Sequence, residues 1–148
     1  FIIKEATVED SEKIGEVFDL YRQFYKKDPD KIISIEYIKQ RLKNKESTIF
    51  FVEDDNVCIG IVQLYVTFDS LELSKKIILY DLFVRSEYRN KGIGAMLMNA
   101  SKDFAKNNGI SGIELSTAIS NGTAQRLYES LGYERDNEFY NYYLSTKK

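Results

Sequence analysis

The chain has 148 residues, 43% of them hydrophobic and 30% charged, a size and balance that fit one soluble domain, residues 1–148, with a sizeable core. Its 21 basic and 23 acidic residues leave a formal charge of -2, with no dense Lys/Arg block or basic amphipathic helix, which argues against nucleic acid or a membrane as partner. A single cysteine and no histidine remove a disulfide framework, Cys/His zinc sites and histidine-activated nucleophiles together, so no metal is expected.

"FIIKEA" reads as a short strand, and Thr7 and Asp10 then have the spacing of a capping box, so a helix should follow. Ile14, Val17, Phe18, Tyr21 and Tyr25 recur at helical spacing, with Glu12, Lys13, Glu16 and Asp19 on the other face. Pro29 disfavours helical geometry at Asp28 and stops that helix near "KKDPD"; a second short helix is expected over "IEYIKQRLKN". "STIFFVEDDNVCIGIVQLYVTF" reads as a hairpin, two strands joined by the polar turn "EDDN". Cys58, inside its apolar run, is expected to be a small buried hydrophobe.

After the polar connection "DSLELSK", "KIILYDLFV" is almost continuously apolar, as expected of a central strand covered on both faces, and Asp81 interrupts it. Residues 92–107 should form a helix with Ile93, Met96, Leu97, Ala100 and Phe104 on one stripe, stopped at Gly109. "GIELST" is a further strand. A short helix in "SNGTAQRLYESLGY" places Ala124, Leu127, Tyr128 and Leu131 on one face and ends at Gly132, and a final strand occupies "EFYNYYLS". This order describes an α/β (α+β) domain with a mixed sheet. The N-terminal apolar run is too short for a signal peptide and no membrane span is present, which points to the cytoplasm.

"VRSEYRNKGIGAMLMNASKDFA" places Arg89, Lys91, Gly92 and Gly94 directly before an amphipathic helix. A helix N-terminus exposes unpaired amides and an effective charge of about +0.5, so an anion there is stabilised twice over. Without a Cβ at Gly92 and Gly94, a diphosphate could approach the amides from Arg89 onward. The same letters also describe a solvated basic turn. Spacing excludes a P-loop, because Ala95 and Met96 follow Gly94, and a dinucleotide fingerprint, because Leu97 stands where a small residue is needed.

"LFVRSEYRNKGIG" resembles the acyl-coenzyme A loop of the GCN5-related N-acetyltransferases (GNAT): Arg or Gln, two residues, Gly, one residue, then Gly or Ala, carried here by Arg89, Gly92 and Gly94. "NGTAQRLYESLGY" resembles the family's second signature through Asn121, Ala124, Leu127, Tyr128, Leu131, Gly132 and Tyr133. The likeness implies a mostly antiparallel central sheet flanked by helices, with a splayed parallel strand pair forming the cofactor cleft. It implies acetyl-CoA as co-substrate, its pantetheine arm paired to the backbone of Leu82, Phe83 and Val84. Its pyrophosphate would be held by the amides of Arg89, Asn90, Lys91, Gly92, Ile93 and Gly94, with Asn121 touching pantetheine. The segment around Asp81 also resembles the polyamine and diamine branch, except that Tyr80 stands where that branch has an acid.

Making an amide from a thioester needs a neutral amine, donors for the developing oxyanion and a proton for the thiolate. Tyr128, a phenol that keeps its proton at pH 7, matches the family's proton donor; helical spacing alone would make it a packing residue. Asp81 in an apolar strand must be paired internally or face a cavity, where with Tyr80 it could bind a cationic acceptor. Asp69 and Glu72 are more distant candidates for the base. The reading is an acetyl-CoA-dependent acyltransferase acting directly on a primary amine of a small molecule, with polyamines, amino acids and related amines all open. The alternative is a non-catalytic acyl-CoA-binding or regulatory module. The aromatic C-terminal strand could offer its face to a second copy, as a homodimer.

Overall fold

The computed structural model describes residues 1–147. By contacts the chain divides into two units, Phe1–Ser116 and the residues from Thr117 onward. The first holds a five-stranded sheet: β1 (Ile2–Glu5), β2 (Thr48–Asp54), β3 (Val57–Asp69), β4 (Ser74–Val84) and β5 (Ile113–Glu114), in that spatial order. Every neighbouring pair is antiparallel except β4 and β5. Three helices accompany it, α1 (Ser11–Phe24), α2 (Lys31–Lys43) and α3 (Ile93–Asn107), and the second unit carries α4 (Gly122–Ser130).

Local chemistry accounts for most boundaries. The Thr7 amide donates to the Asp10 carboxylate at 2.8 Å, the acidic half of the expected capping box, while the Thr7 hydroxyl turns to Glu9 at 2.8 Å. A single 3-10 turn over Val8–Asp10 then feeds α1. The hairpin turn has both Asp55 and Asn56 at positive φ, 49° and 64°, the backbone of a type I′ turn whose twist matches the flanking strands. α2 begins earlier than expected, because the Asp30 side chain accepts from the Ile33 amide at 3.1 Å and so caps the helix.

The core lies on both faces of the sheet. Ile14 and Val17 of α1 and Ile38 of α2 bury against Ile49, Phe51, Cys58 and Ile61. On the opposite face α3 lies over β3: a Cβ at Gly60 would sit 3.1 Å from Ile93 Cγ2 and 3.3 Å from Leu97 Cδ1. Buried Ile93, Leu97, Met98, Ser101 and Ala105 mark the inner side of α3, so Met98 takes the place expected of Met96.

Two further expectations need correction. Asp19 does not face solvent. It is buried, accepting from the Ser34 hydroxyl at 2.7 Å, the Asp30 amide and Gln23 at 3.0 Å, and Arg22 at 3.2 Å. Burial alone would raise its pKa, but these four donors hold it below the ordinary value, so the ionised group joins α1 to the start of α2. β4 is buried from both faces, as expected: Ile77 and Leu79 pair with Val66 and Leu64 on the face that α3 covers, and beyond the slip in register Asp81 and Phe83 pair with Gln63 and Ile61 on the face of α1 and α2. The final strand does not form: residues 138–145 pair with no strand among the described residues, and Phe139, Tyr140, Tyr142, Tyr143 and Leu144 are exposed.

α1 and α2 meet backbone to backbone at Gly15, where an added Cβ would lie 2.5 Å from Ile35 Cα. Gly15→Ala should therefore destabilise the protein by about 1–3 kcal/mol despite alanine's better helix propensity, read as a lower urea midpoint.

Candidate active site

The glycine loop is built by two backbone reversals. β4 ends at Val84, a 3-10 turn spans Ser86–Tyr88, and Asn90 and Gly92 then both adopt positive φ, 63° and 81°. Gly92 tolerates this conformation because it has no Cβ, and α3 starts at once, with the Met96 amide donating to the Gly92 carbonyl at 3.0 Å. No side chain caps α3, and its first turn carries no acid, so its leading amides keep their partial positive charge for an anion. A Cβ at Gly92 would meet nothing within 4 Å, which leaves the approach to those amides open.

The two loop cations are steadied by rings. Arg89 Nε donates to the Val84 carbonyl at 3.1 Å, and its guanidinium lies 5.3 Å from the Phe83 ring centre and 5.6 Å from that of Phe24. Lys91 Nζ lies 5.5 Å from the Tyr88 ring. Beside the loop, β4 and β5 separate early. Their parallel pairing covers Ile77 with Ile113 and Ile78 with Glu114 and then stops, while β4 continues against β3 through Leu82, Phe83 and Val84. That stretch keeps a backbone edge with no strand on the β5 side among the described residues, and it leads directly into the loop.

Asp81 and Tyr80 owe their positions to a slip in register. Gln63 faces Asp81 but Leu64 faces Leu79, so Tyr80 is one residue too many on β4, a β-bulge. The bulge brings the Tyr80 ring edge-on to Tyr65, 5.8 Å away, on the sheet face that α1 and α2 cover. Asp81 looks the same way and is only 6% exposed. Its Oδ2 accepts from Gln63 Nε2 at 2.8 Å, and Gln63 is oriented by the Ser47 hydroxyl, which donates to its Oε1 at 2.7 Å. The Tyr21 hydroxyl faces the same carboxylate and lies 3.5 Å from the Tyr80 carbonyl that the bulge frees.

Burial pushes the Asp81 carboxyl above its ordinary value, against the opposing pull of the Gln63 and Tyr21 hydrogen bonds. Burial and the neighbouring Asp81 charge push Tyr21 above the usual phenol range, and Tyr65 is raised by burial and by its contact with Tyr37, whose hydroxyl lies 3.5 Å from its own. These phenols remain protonated donors around a carboxylate that holds its proton more tightly than usual.

In the second unit, α4 is capped at both ends by the motif residues. Asn121 Oδ1 accepts from the Ala124 amide at 3.2 Å, which leaves its amide nitrogen as the group it can offer a ligand. Gly132, at φ 93°, completes a Schellman motif in which the Tyr133 amide reaches the Tyr128 carbonyl at 3.0 Å and the Gly132 amide reaches that of Glu129 at 3.1 Å. The Tyr128 and Tyr133 rings lie 6.1 Å apart, and burial pushes Tyr133 up to about 12.

Gln63, Ser47, Tyr37 and Tyr65 were missed from sequence, although Gln63 carried a signal of its own: one amide within the apolar run "VCIGIVQLYV". Asp69 and Glu72 lie elsewhere. They line a shallow cleft with Ser74, Lys76, Ser111, Gly112, Ile113 and Glu114 at the far end of β4 from Asp81. Among the described residues no cluster of metal-ligating side chains occurs, and no helix is long and apolar enough to cross a membrane.

Comparison with known proteins bears on the whole chain. The acetyltransferase (GNAT) family model matches residues 14–133. An uncharacterized N-acetyltransferase of Bacillus subtilis (strain 168), YhfO, is 40% identical over 143 residues, 97% of this chain and 96% of that protein. The crystal structure of a probable acetyltransferase superposes with a TM-score of 0.92 at 33% identity, covering 100% of this chain and 99% of the other. An aminoglycoside acetyltransferase from a soil metagenome, meta-AAC0020, shares the fold at a TM-score of 0.85 and 19% identity, over 99% of this chain and 96% of that one.

The raised Asp81 has a consequence for stability. The folded state holds this proton more tightly than the unfolded chain, so the contribution is fully present below the ordinary value of 3.8 and is lost as pH rises through the folded value. Asp81→Asn, which stays neutral throughout, should therefore gain stability relative to wild type as pH is raised from about 4 towards 7, with the gain absent at lower pH, measured by urea denaturation across that range.

Proposed function

The chain belongs to the GNAT family of acetyltransferases, and we propose that it transfers an acetyl group from acetyl-CoA directly to a primary amine of a small molecule. Enzymes of this family act on small-molecule or peptide amines, and polyamines, diamines, amino acids and related amines are the candidate acceptors within that class. The observation that carries the reading is the open β4 edge running through a left-handed Gly92 into an uncapped helix N-terminus.

That arrangement fits an acyl-CoA. The backbone of Leu82, Phe83 and Val84 would hold the pantetheine arm as an added strand, with the Asn121 amide touching it. The amides of Arg89, Asn90, Lys91, Gly92, Ile93 and Gly94 would hold the pyrophosphate, with Arg89 and Lys91 balancing its charge. When bound, acetyl-CoA supplies an activated acyl group as a thioester.

The protein's own task is proton management. An amine with a pKa of about 10.4 is almost wholly protonated at pH 7, and reaching its neutral form costs about 4–5 kcal/mol if the site does nothing. Asp81 and Tyr80 are assigned to hold the amine. A carboxyl raised by burial is a better proton acceptor near neutrality than an ordinary one, and the surrounding phenols steady it by hydrogen bonding. Tyr128 is assigned the opposite task, holding a proton at its hydroxyl for the departing thiolate.

The family match runs through residue 116 to 133, which supports reading residues 1–148 as one catalytic domain. The single cysteine, buried and unpaired, supports a cytoplasmic location. Exposed Phe139, Tyr140, Tyr142, Tyr143 and Leu144 support self-association as a homodimer.

Two variants test the assignments. Gly92→Leu should abolish acetyl-CoA binding by calorimetry while the far-UV dichroism stays native, since the left-handed backbone costs a non-glycine residue about 1–3 kcal/mol and the new side chain occupies the approach to the amides. Tyr128→Phe should bind acetyl-CoA normally but lose about 10²–10⁴ in kcat, followed by thiol release; undiminished turnover removes Tyr128 from the mechanism.

A further inference from the structure

We infer that the acceptor is an amine with one positive charge carried on an aromatic or apolar body, seated among Tyr21, Tyr37, Tyr65 and Tyr80 with its nitrogen directed to Asp81. This rests on the acetyl-transfer reading and narrows its substrate class.

Asp81 is the one carboxylate at the centre of this cluster, and the titratable groups that face it, Tyr21 and Tyr65, stay neutral. Several acids on the elements packed against it have partners of their own. Asp19 is held by four donors, Glu16 pairs with Lys31 at 2.7 Å and Glu46 with Arg41 at 2.8 Å, while Glu36, bonded to the neutral Gln40 amide at 2.8 Å, is exposed on α2. Two cations bracket the rings instead: Arg41 lies 4.3 Å from the Tyr37 ring centre, and Arg89 lies over Phe83 and Phe24. One ammonium finds a buried counter-charge here; a second would meet the guanidinium groups that lie over the rings.

The surrounding surface is aromatic and continuous. Phe18 stacks on Tyr37 at 5.6 Å and on Tyr21 at 6.0 Å, Tyr21 meets Tyr25 at 5.2 Å and Phe83 at 6.0 Å, and Tyr65 meets Tyr80. Tyr80 is 67% exposed, and Phe24, Tyr25 and Tyr37 also reach solvent. A cation that pairs with nearly buried Asp81 must shed water, and ring faces are the groups available to replace it. An apolar or aromatic body attached to that cation buries against the same rings, whereas a hydrophilic polycation leaves its remaining charges desolvated.

The test is a thiol-release comparison with acetyl-CoA and 2-phenylethylamine, tyramine, hexylamine, spermidine, glycine and a short peptide with a free N-terminus. The arylalkylamines should exceed spermidine, glycine and the peptide in kcat/KM by about tenfold or more, the equivalent of about 1.4 kcal/mol. In Tyr80→Glu, at a largely exposed position, the second carboxylate should raise the spermidine to phenylethylamine ratio by about tenfold while the KM for acetyl-CoA holds. Tyr65→Leu should raise KM for the arylalkylamines more than for hexylamine. Preference for spermidine, glycine or the peptide in the wild type, or a Tyr80→Glu ratio that does not move, overturns this inference and leaves acetyl transfer standing. Absence of thiol release with every amine overturns both.

Discussion

A single buried hydrogen bond, from Gln63 Nε2 to the Asp81 carboxylate, sits where the two central strands lose their register. Breaking it would leave the Gln63 Nε2 donor unpaired in an apolar interior and the Asp81 carboxylate with the Tyr21 hydroxyl alone, a cost of about 1–3 kcal/mol. The bulge beside it is therefore tied in place. Because the side-chain period of a strand is 2, one extra residue re-aims everything beyond it, and here it brings Tyr80 round to the face that Asp81 already occupies. At the same slip the Tyr80 carbonyl meets the Tyr21 hydroxyl, 3.5 Å away.

The acyl-CoA side depends on a different economy of backbone groups. β5 pairs with β4 for only two residues, and the helix that follows the glycine loop begins without a side-chain cap. Both are departures from full backbone satisfaction. They adjoin one another along β4 and the loop after it, so a ligand offering carbonyls, amides and phosphates in series would satisfy the strand edge and the helix start together. Arg89 belongs to both halves of the site, since its charge serves the loop while Phe24 and Phe83 beneath it lead to the tyrosine cluster.

Features fixed by local chemistry were legible in the sequence. The Asp55–Asn56 turn, the carboxylate of Asp10 at the start of α1, the left-handed Gly92, and the Gly132 stop of α4 each follow from the residue itself and its immediate neighbours. The glycine loop and Asp81 stood out because glycine and charge are costly in those contexts. The bulge was hidden, because "VCIGIVQLYV" and "KIILYDLFV" are apolar at nearly every position and give alternation nothing to register against. Asp19 read as a solvent-facing residue because two of the four donors that compensate its burial, the Ser34 hydroxyl and the Asp30 amide, lie outside its own helix. "EFYNYYLS" has strand propensity, but a strand exists only with a hydrogen-bonded neighbour, and propensity alone cannot name one.

Cys58 belongs to the buried cluster that includes Ile14, Val17 and Phe51. It is the chain's one cysteine, 2% exposed, its Sγ near the Gly60 carbonyl at 3.8 Å and its thiol pushed up to about 12 by burial. Such a sulfur is almost never a thiolate at neutral pH and lies out of reach of electrophilic dyes. The native molecule is thus chemically silent towards maleimides and disulfide reagents, and a cysteine placed anywhere on its exterior becomes the sole labelling handle for fluorescence or spin probes.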